Sequence, residues 1–325
     1  MQAHSLSDER YKKERNMGKV PTFGAVIKEG FQILPAIFDG ISSKAAERMG
    51  CKAGLVSACA LTHCVHGTPD EGTLSTTDMV WSLTRMVEDN CVFPVIAEVR
   101  SGFSDNLHIM PYDLERIVKA GVNAMLLDDR IFGCGNDSEK ITLVSKEIFA
   151  DKITIAKKAA ENTDCMILAR SFATDPEEAV ERCLAAKEAG AEIVGAACMH
   201  TEEDAEFFSE KVNGKKFWSD LTAVNGGPEV TVDKLIELGY SFSFITFMEK
   251  AAWYGDMDYA VNNFKNRNTV YADLHDFDGM LRDKNGKLQD YHIIFSYWKK
   301  WMPMEEEFLD MSALGNDAYQ HYKED

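Results

Sequence analysis

Short apolar runs alternate with longer stretches in which apolar residues recur every three or four positions, and this rhythm repeats along most of the chain. Continuous apolar runs bounded by Gly, Asp or Ser read as strands buried on both faces, and the stretches between them read as amphipathic helices that cover them. Strands are expected at about 33–38, 53–57, 93–98, 123–128, 165–170, 192–197, 216–221 and 242–247. The punctuation agrees. Thr174-Asp175-Pro176-Glu177-Glu178 sets capping side chains before a proline suited to a first helical turn. Gly50, Gly121 and Gly190 each close an amphipathic stretch where a left-handed residue ends a helix. Repeated βα units without a Gly-x-Gly-x-x-Gly fingerprint favour an α/β chain folded as a closed (β/α)8 TIM barrel. A doubly wound open sheet would use the same glycine device but binds dinucleotides through that fingerprint.

From about residue 265 the rhythm stops. Residues 266–287 are polar with a turn signal at Lys284-Asn285-Gly286-Lys287, and residues 291–301 are densely aromatic. The expected division is therefore a barrel over 1–264 and a C-terminal helical extension over 265–325, with the aromatic face packing on the barrel or on a partner subunit.

With 325 residues and 45% hydrophobic content, the chain can bury a large core, as one barrel or as two smaller domains. A net charge of −18 repels nucleic acid and anionic membrane surfaces, so a small anionic ligand needs basic groups inside its own pocket. Eight cysteines, scattered without a Cys-x-x-Cys pair, read as reduced thiols in a cytoplasmic setting. The polar first residues do not resemble a signal peptide, and no apolar run approaches the roughly 20 residues that span a bilayer.

The chemistry concentrates where strands end. One run closes on Glu98-Val99-Arg100, the next on Asp128-Asp129-Arg130, and a loop with Cys134-Gly135-Asn136 follows. Another strand ends Ala169-Arg170-Ser171, and an earlier one ends Leu55-Val56-Ser57-Ala58, ahead of Gly67-Thr68-Pro69-Asp70. Strand C-termini are where barrel enzymes place their active sites. An arginine closing an apolar strand is costly to bury alone, so Arg170 should have a partner, either a substrate carboxylate or Asp128 or Glu98.

These segments resemble the isocitrate lyase/phosphoenolpyruvate mutase superfamily, over roughly residues 35–247. The strongest stretch is Pro35-Ala-Ile-Phe-Asp39-Gly-Ile-Ser-Ser, which is similar to the family's Pro-Gly-x-x-Asp-Ala-x-Ser-Ala. The resemblance implies a carbon–carbon lyase acting on a small 2-hydroxy- or 2-oxo-carboxylic acid through an enolate, in a homo-oligomer. A phosphoenolpyruvate mutase-type or C–C/C–P hydrolase activity, or a non-catalytic acid- or protein-binding barrel, stays open beside it. By the same resemblance Ser57, Ala58, Arg170 and Asp220 would bind substrate carboxylates, Cys134 would exchange a proton with the enolate carbon, and Glu98, Asp128 and Asp70 would hold Mg²⁺.

This chain departs from the pattern at several points. Glu98 and Asp128 exchange the family's Asp and Glu, which shifts a methylene from one side chain to the other. Arg100 stands where a second Asp is expected. A positive charge about 4 Å from a cation costs roughly 4 kcal/mol at an effective dielectric near 20. Arg100 either points away or pairs with Asp70, leaving a weak Mg²⁺ site, or puts its guanidinium in the metal's place and clamps carboxylates itself. The basic residues around the family's Cys-Gly are replaced by Phe132-Gly133 and Asn136, so a catalytic Cys134 and an inert one both stay open. His63-Cys64-x-His66 has donor residues without a second cluster, and local loop packing is the preferred reading.

Overall fold

The computed structural model describes residues 20–70, 72–87, 92–134, 141–221, 229–246 and 248–261. Eight parallel strands run in the order expected: β1 (Gln32–Ile37), β2 (Gly54–Val56), β3 (Val95–Arg100), β4 (Ala124–Asp128), β5 (Met166–Ser171), β6 (Ile193–Ala196), β7 (Phe217–Trp218) and β8 (Phe242–Ile245). Their order around the sheet is β6-β5-β4-β3-β2-β1-β8-β7. Among the described residues a parallel bridge, Val194 to Lys216, joins the two ends and nearly closes the barrel. The chain is thus an α/β TIM barrel, and each expected strand is present within a few residues. The strand expected over 216–221 is the most shortened, to two residues.

Strand alternation sorts the side chains into two cores. Leu34, Leu55, Ile96, Leu126, Leu168, Ile193, Phe217, Phe242 and Phe244 point inward and pack with Phe23 and Val26 of the short helix Phe23–Val26. Phe242 meets Phe23 edge-on at 5.4 Å and stacks on Phe217 at 5.2 Å between ring centroids. Gly195 makes room for that ring, since a Cβ there would lie 2.7 Å from Phe217. Their neighbours along the strands, among them Val56, Ala97, Met125, Leu127, Ile167 and Val194, face outward into the larger core under the helices.

The helices carry the caps the sequence announces. Asp175 caps Pro176–Glu188 by accepting from the Glu178 amide at 2.8 Å, and Gly121 adopts φ +92° behind Met110–Lys119. Lys152 is fully buried in Lys146–Ala159 and ties the loop after β3 down through the Ser101 carbonyl (3.0 Å) and Asp105 (2.6 Å). No helix among the described residues is long and apolar enough to cross a membrane.

The barrel belongs to a compact unit ending at Gly255, and a second unit covers 256–325. The expected boundary at 264/265 and the extension over 265–325 lie outside the described residues.

Candidate active site

The inward parity that places Leu55, Ile96, Leu126 and Leu168 in the barrel continues two residues further to Ser57, Glu98, Asp128 and Arg170. Register brings them level: Asp128 pairs with Arg170 in the sheet, and Leu126 with Leu168 one step below. A charged layer therefore caps the apolar one at the C-terminal mouth. The register slips between Glu98 and Arg100, and Arg100 adopts φ +52°, a left-handed conformation rare for a residue with a side chain.

All of the layer's charges are paired. Arg170 Nη2 donates to Glu98 Oε1 at 2.5 Å and lies 3.5 Å from Asp128 Oδ2. Arg130 folds back from two residues away to clamp Asp128 with Nε at 3.2 Å and Nη2 at 2.7 Å. Arg100 pairs with Asp70 through Nη1 and donates to the Cys134 carbonyl at 3.0 Å through Nη2. Phe172 lies under two of the cations, 3.9 Å from Arg130 and 4.8 Å from Arg170. Asp129 faces the other way, accepting from Ser171 Oγ (2.7 Å) and the Phe172 amide (2.8 Å).

The electrostatics follow from these pairs. For Asp128 burial is the largest single effect and opposes ionisation, yet the charge and hydrogen bonds of Arg130, with Arg170 and Arg100 behind it, bring its pKa down to about 2. For Glu98 burial again opposes ionisation and is outweighed, chiefly by Arg170, so its pKa falls below the ordinary value. Asp70 goes the other way: burial outweighs the opposing charge of Arg100 and raises its pKa.

The residues expected to bind a substrate carboxylate are brought together, with an unexpected occupant. Ser57 Oγ and the Ala58 amide both donate to Glu98 Oε2 at 3.0 Å. With Arg170 they enclose a carboxylate belonging to the protein, because Glu98 is a methylene longer than the Asp of the resembled pattern. Arg170 also keeps a donor in reserve: its Nε is buried without a hydrogen-bond partner among the described residues. Asp220, two residues beyond β7, accepts from the Thr246 hydroxyl and, at 3.3 Å, from the Thr246 amide.

Cys134 opens into a pocket at the ends of β3 and β4 that Arg100, Asp128 and Arg130 also line. Gly72 sits against this loop so closely that a Cβ would lie 2.6 Å from the Gly133 Cα. Gly135 and Asn136 lie outside the described residues. Sequence reasoning missed Arg130. The Asp128-Asp129-Arg130 triplet was visible, but nothing in it told which acid the arginine would turn to.

A barrel with a charged mouth of carboxylates and guanidiniums defines a class of enzyme that handles small acids. The comparisons narrow it: the phosphoenolpyruvate phosphomutase family profile matches residues 23–260, and the chain belongs to that family. It is 32% identical over 218 residues to the 2,3-dimethylmalate lyase of Eubacterium barkeri, covering 65% of this chain and 73% of that protein. Among solved structures, a 2,3-dimethylmalate lyase superposes with a TM-score of 0.72 at 20% identity, covering 86% of this chain and 93% of the other. A phosphonopyruvate hydrolase in complex with oxalate and Mg²⁺ gives 0.70 at 20% identity, with 86% and 95% covered.

The Mg²⁺ that the hydrolase complex holds invites a test of Glu98, Asp128 and Asp70. They do not fit such an ion as they stand. Mg²⁺ needs oxygen donors free to complete an octahedron. Here each of the three carboxylates faces a guanidinium. Among the described residues, the side chains placed to share a metal are Cys59, His63 and Glu249 instead. The arrangement found is the pairing of Arg100 with Asp70.

Proposed function

We propose that the chain is a carbon–carbon lyase acting on a small 2-hydroxy- or 2-oxo-carboxylic acid through an enolate, with guanidiniums in place of a metal. The observation that carries this is the buried, unpartnered Nε–H of Arg170. A buried donor left without an acceptor costs about 1–3 kcal/mol, which an incoming carboxylate oxygen relieves. Arg170 is already held in place by Glu98 and Asp128, so little ordering remains to be done when the acid arrives.

In this reading the substrate carboxylate docks on Arg170 with its reacting carbons toward the pocket lined by Arg100, Arg130 and Cys134. For a 2-hydroxy acid, Asp70 takes the hydroxyl proton, and its raised pKa suits a base. The C–C bond then breaks to a carbonyl product and an enolate. The developing negative charge is stabilised by Arg100 and Arg130, the kind of fixed electrostatic effect that usually dominates such catalysis. The Cys134 thiol supplies the proton to the enolate carbon.

The test is proton exchange. In D₂O the enzyme should wash deuterium into the methyl or methylene of pyruvate- or succinate-like acids, and Cys134→Ser should abolish that exchange while leaving binding by thermal shift intact. A mutase should bind without exchange, and a non-catalytic barrel should bind an acid or a protein with no turnover. Either outcome sinks the lyase reading. A cytoplasmic homo-oligomer is part of the same proposal.

A further inference from the structure

We propose that Cys59, His63 and Glu249, none of them part of the acidic layer, form a binding site for a divalent cation of the zinc class that bridges the segments following β2 and β8. The donor atoms lie within 4.8 Å of one another. Cys59 Sγ is 3.9 Å from both ring nitrogens of His63, and His63 Nδ1 is 3.0 Å from Glu249 Oε1. Zinc bonds of about 2.0–2.3 Å in tetrahedral geometry set such donors roughly 3.3–3.6 Å apart. The distances found bracket that range, so an ion needs only small side-chain rotations to sit between them.

Two independent features point to a ligand. Glu249 is buried, and its second oxygen, Oε2, is a buried charge-bearing atom without a hydrogen-bond partner among the described residues. A buried carboxylate is costly unless it is paired or coordinates a metal. The chain also leaves α-helical geometry here: Thr62–His66 is a π-helical turn, a departure that commonly marks functional positions. It follows directly on Ala58–Leu61, which carries Cys59, and its His63 reaches Glu249 across 186 positions.

The donor set selects the ion. One thiol, one imidazole and one carboxylate match the mixed S, N and O preference of Zn²⁺, and Mg²⁺ prefers oxygen alone. Three protein donors leave a fourth position open. The neighbouring residues that a sequence reader would choose do other things: His66 lies 3.6 Å from Asp78, and Cys64 is exposed.

The experiment uses the full chain, stripped of metal and titrated separately with Zn²⁺, Co²⁺ and Mg²⁺. Zn²⁺ should bind in a 1:1 ratio and raise the melting temperature, as expected for a clip between distant segments, and Mg²⁺ should do neither. Co²⁺ should show tetrahedral ligand-field bands with a thiolate charge-transfer band. That band should vanish in Cys59→Ser, and Glu249→Gln should weaken Zn²⁺ by at least about tenfold. Should a variant fail to fold, alkylation of the wild-type chain mapped by mass spectrometry decides, since Zn²⁺ must protect Cys59. Octahedral Co²⁺ without a thiolate band, a band that persists in Cys59→Ser, or an unprotected Cys59 overturns the site.

Discussion

The two halves of the barrel interior are built from the same strands at the same parity, yet they are chemically opposite. Below, Phe23, Phe217, Phe242 and Phe244 interlock with the aliphatic side chains of β1 to β6. One inward position higher, Glu98, Asp128 and Arg170 replace the hydrocarbon with a salt-bridged layer. Removing a side chain from the lower half leaves a cavity, which the fold bears as lost stability alone. Removing one from the upper half leaves a buried charge uncompensated, which affects stability and chemistry together. The charged layer thus rests on a hydrophobic plug that it does not touch chemically.

The largest effect is expected at Arg170. Arg170→Ala should lower turnover by roughly 100- to 1,000-fold and destabilise the fold by about 3–5 kcal/mol, because Glu98 loses its main partner. Combining Arg170→Met with Glu98→Gln should restore much of the stability and none of the turnover, measured by denaturant unfolding beside steady-state kinetics. Unchanged turnover in Arg170→Ala would break the division between the halves.

Phe242→Ala is the converse, expected to cost about 3–5 kcal/mol of stability while turnover per folded molecule stays within about twofold. A loss of turnover at full folding would show that the plug also positions the charged layer.

Acid should act on the upper half first. Asp128 has a pKa of about 2 against an ordinary 3.8, so the stability it contributes is complete above pH 3.8 and is lost as pH falls toward 2. The loss is roughly 2 kcal/mol, and Glu98 adds in the same direction. Raised Asp70 has the opposite sign, because protonation relieves it as pH falls. Arg130→Met should flatten the Asp128 part of an acid unfolding curve.

The smallest effect concerns chelation. With Arg100 holding Asp70 where relatives would have a second acid, turnover should survive exhaustive EDTA to within about twofold. Arg100→Asp should raise Mg²⁺ affinity and lower turnover. A wild type killed by chelation and restored by Mg²⁺ specifically would reinstate the metal reading of Glu98, Asp128 and Asp70.

Much of this was legible in the linear pattern. Apolar runs ending in charge located the mouth, whereas runs apolar on both faces could not show that Leu126 and Asp128 point inward. The short helix Phe23–Val26 and the π turn Thr62–His66 were not foreseen, since neither is long enough to show a period. The occupancy of the Ser57 and Ala58 donors by Glu98 was equally hidden. It depends on one methylene of reach and on the spacing of two strands.

By itself the sequence determined the strand count and which strand ends carry charge, because apolar runs and capping are local properties of a few consecutive residues. The tertiary structure decided every pairing. Arg130 turned to its near neighbour Asp128, Arg100 to Asp70 thirty positions away, and His63 to Glu249 across most of the barrel. Coulomb and hydrogen-bond energies depend on distances in space of a few ångströms, and closure of the barrel is what sets those distances.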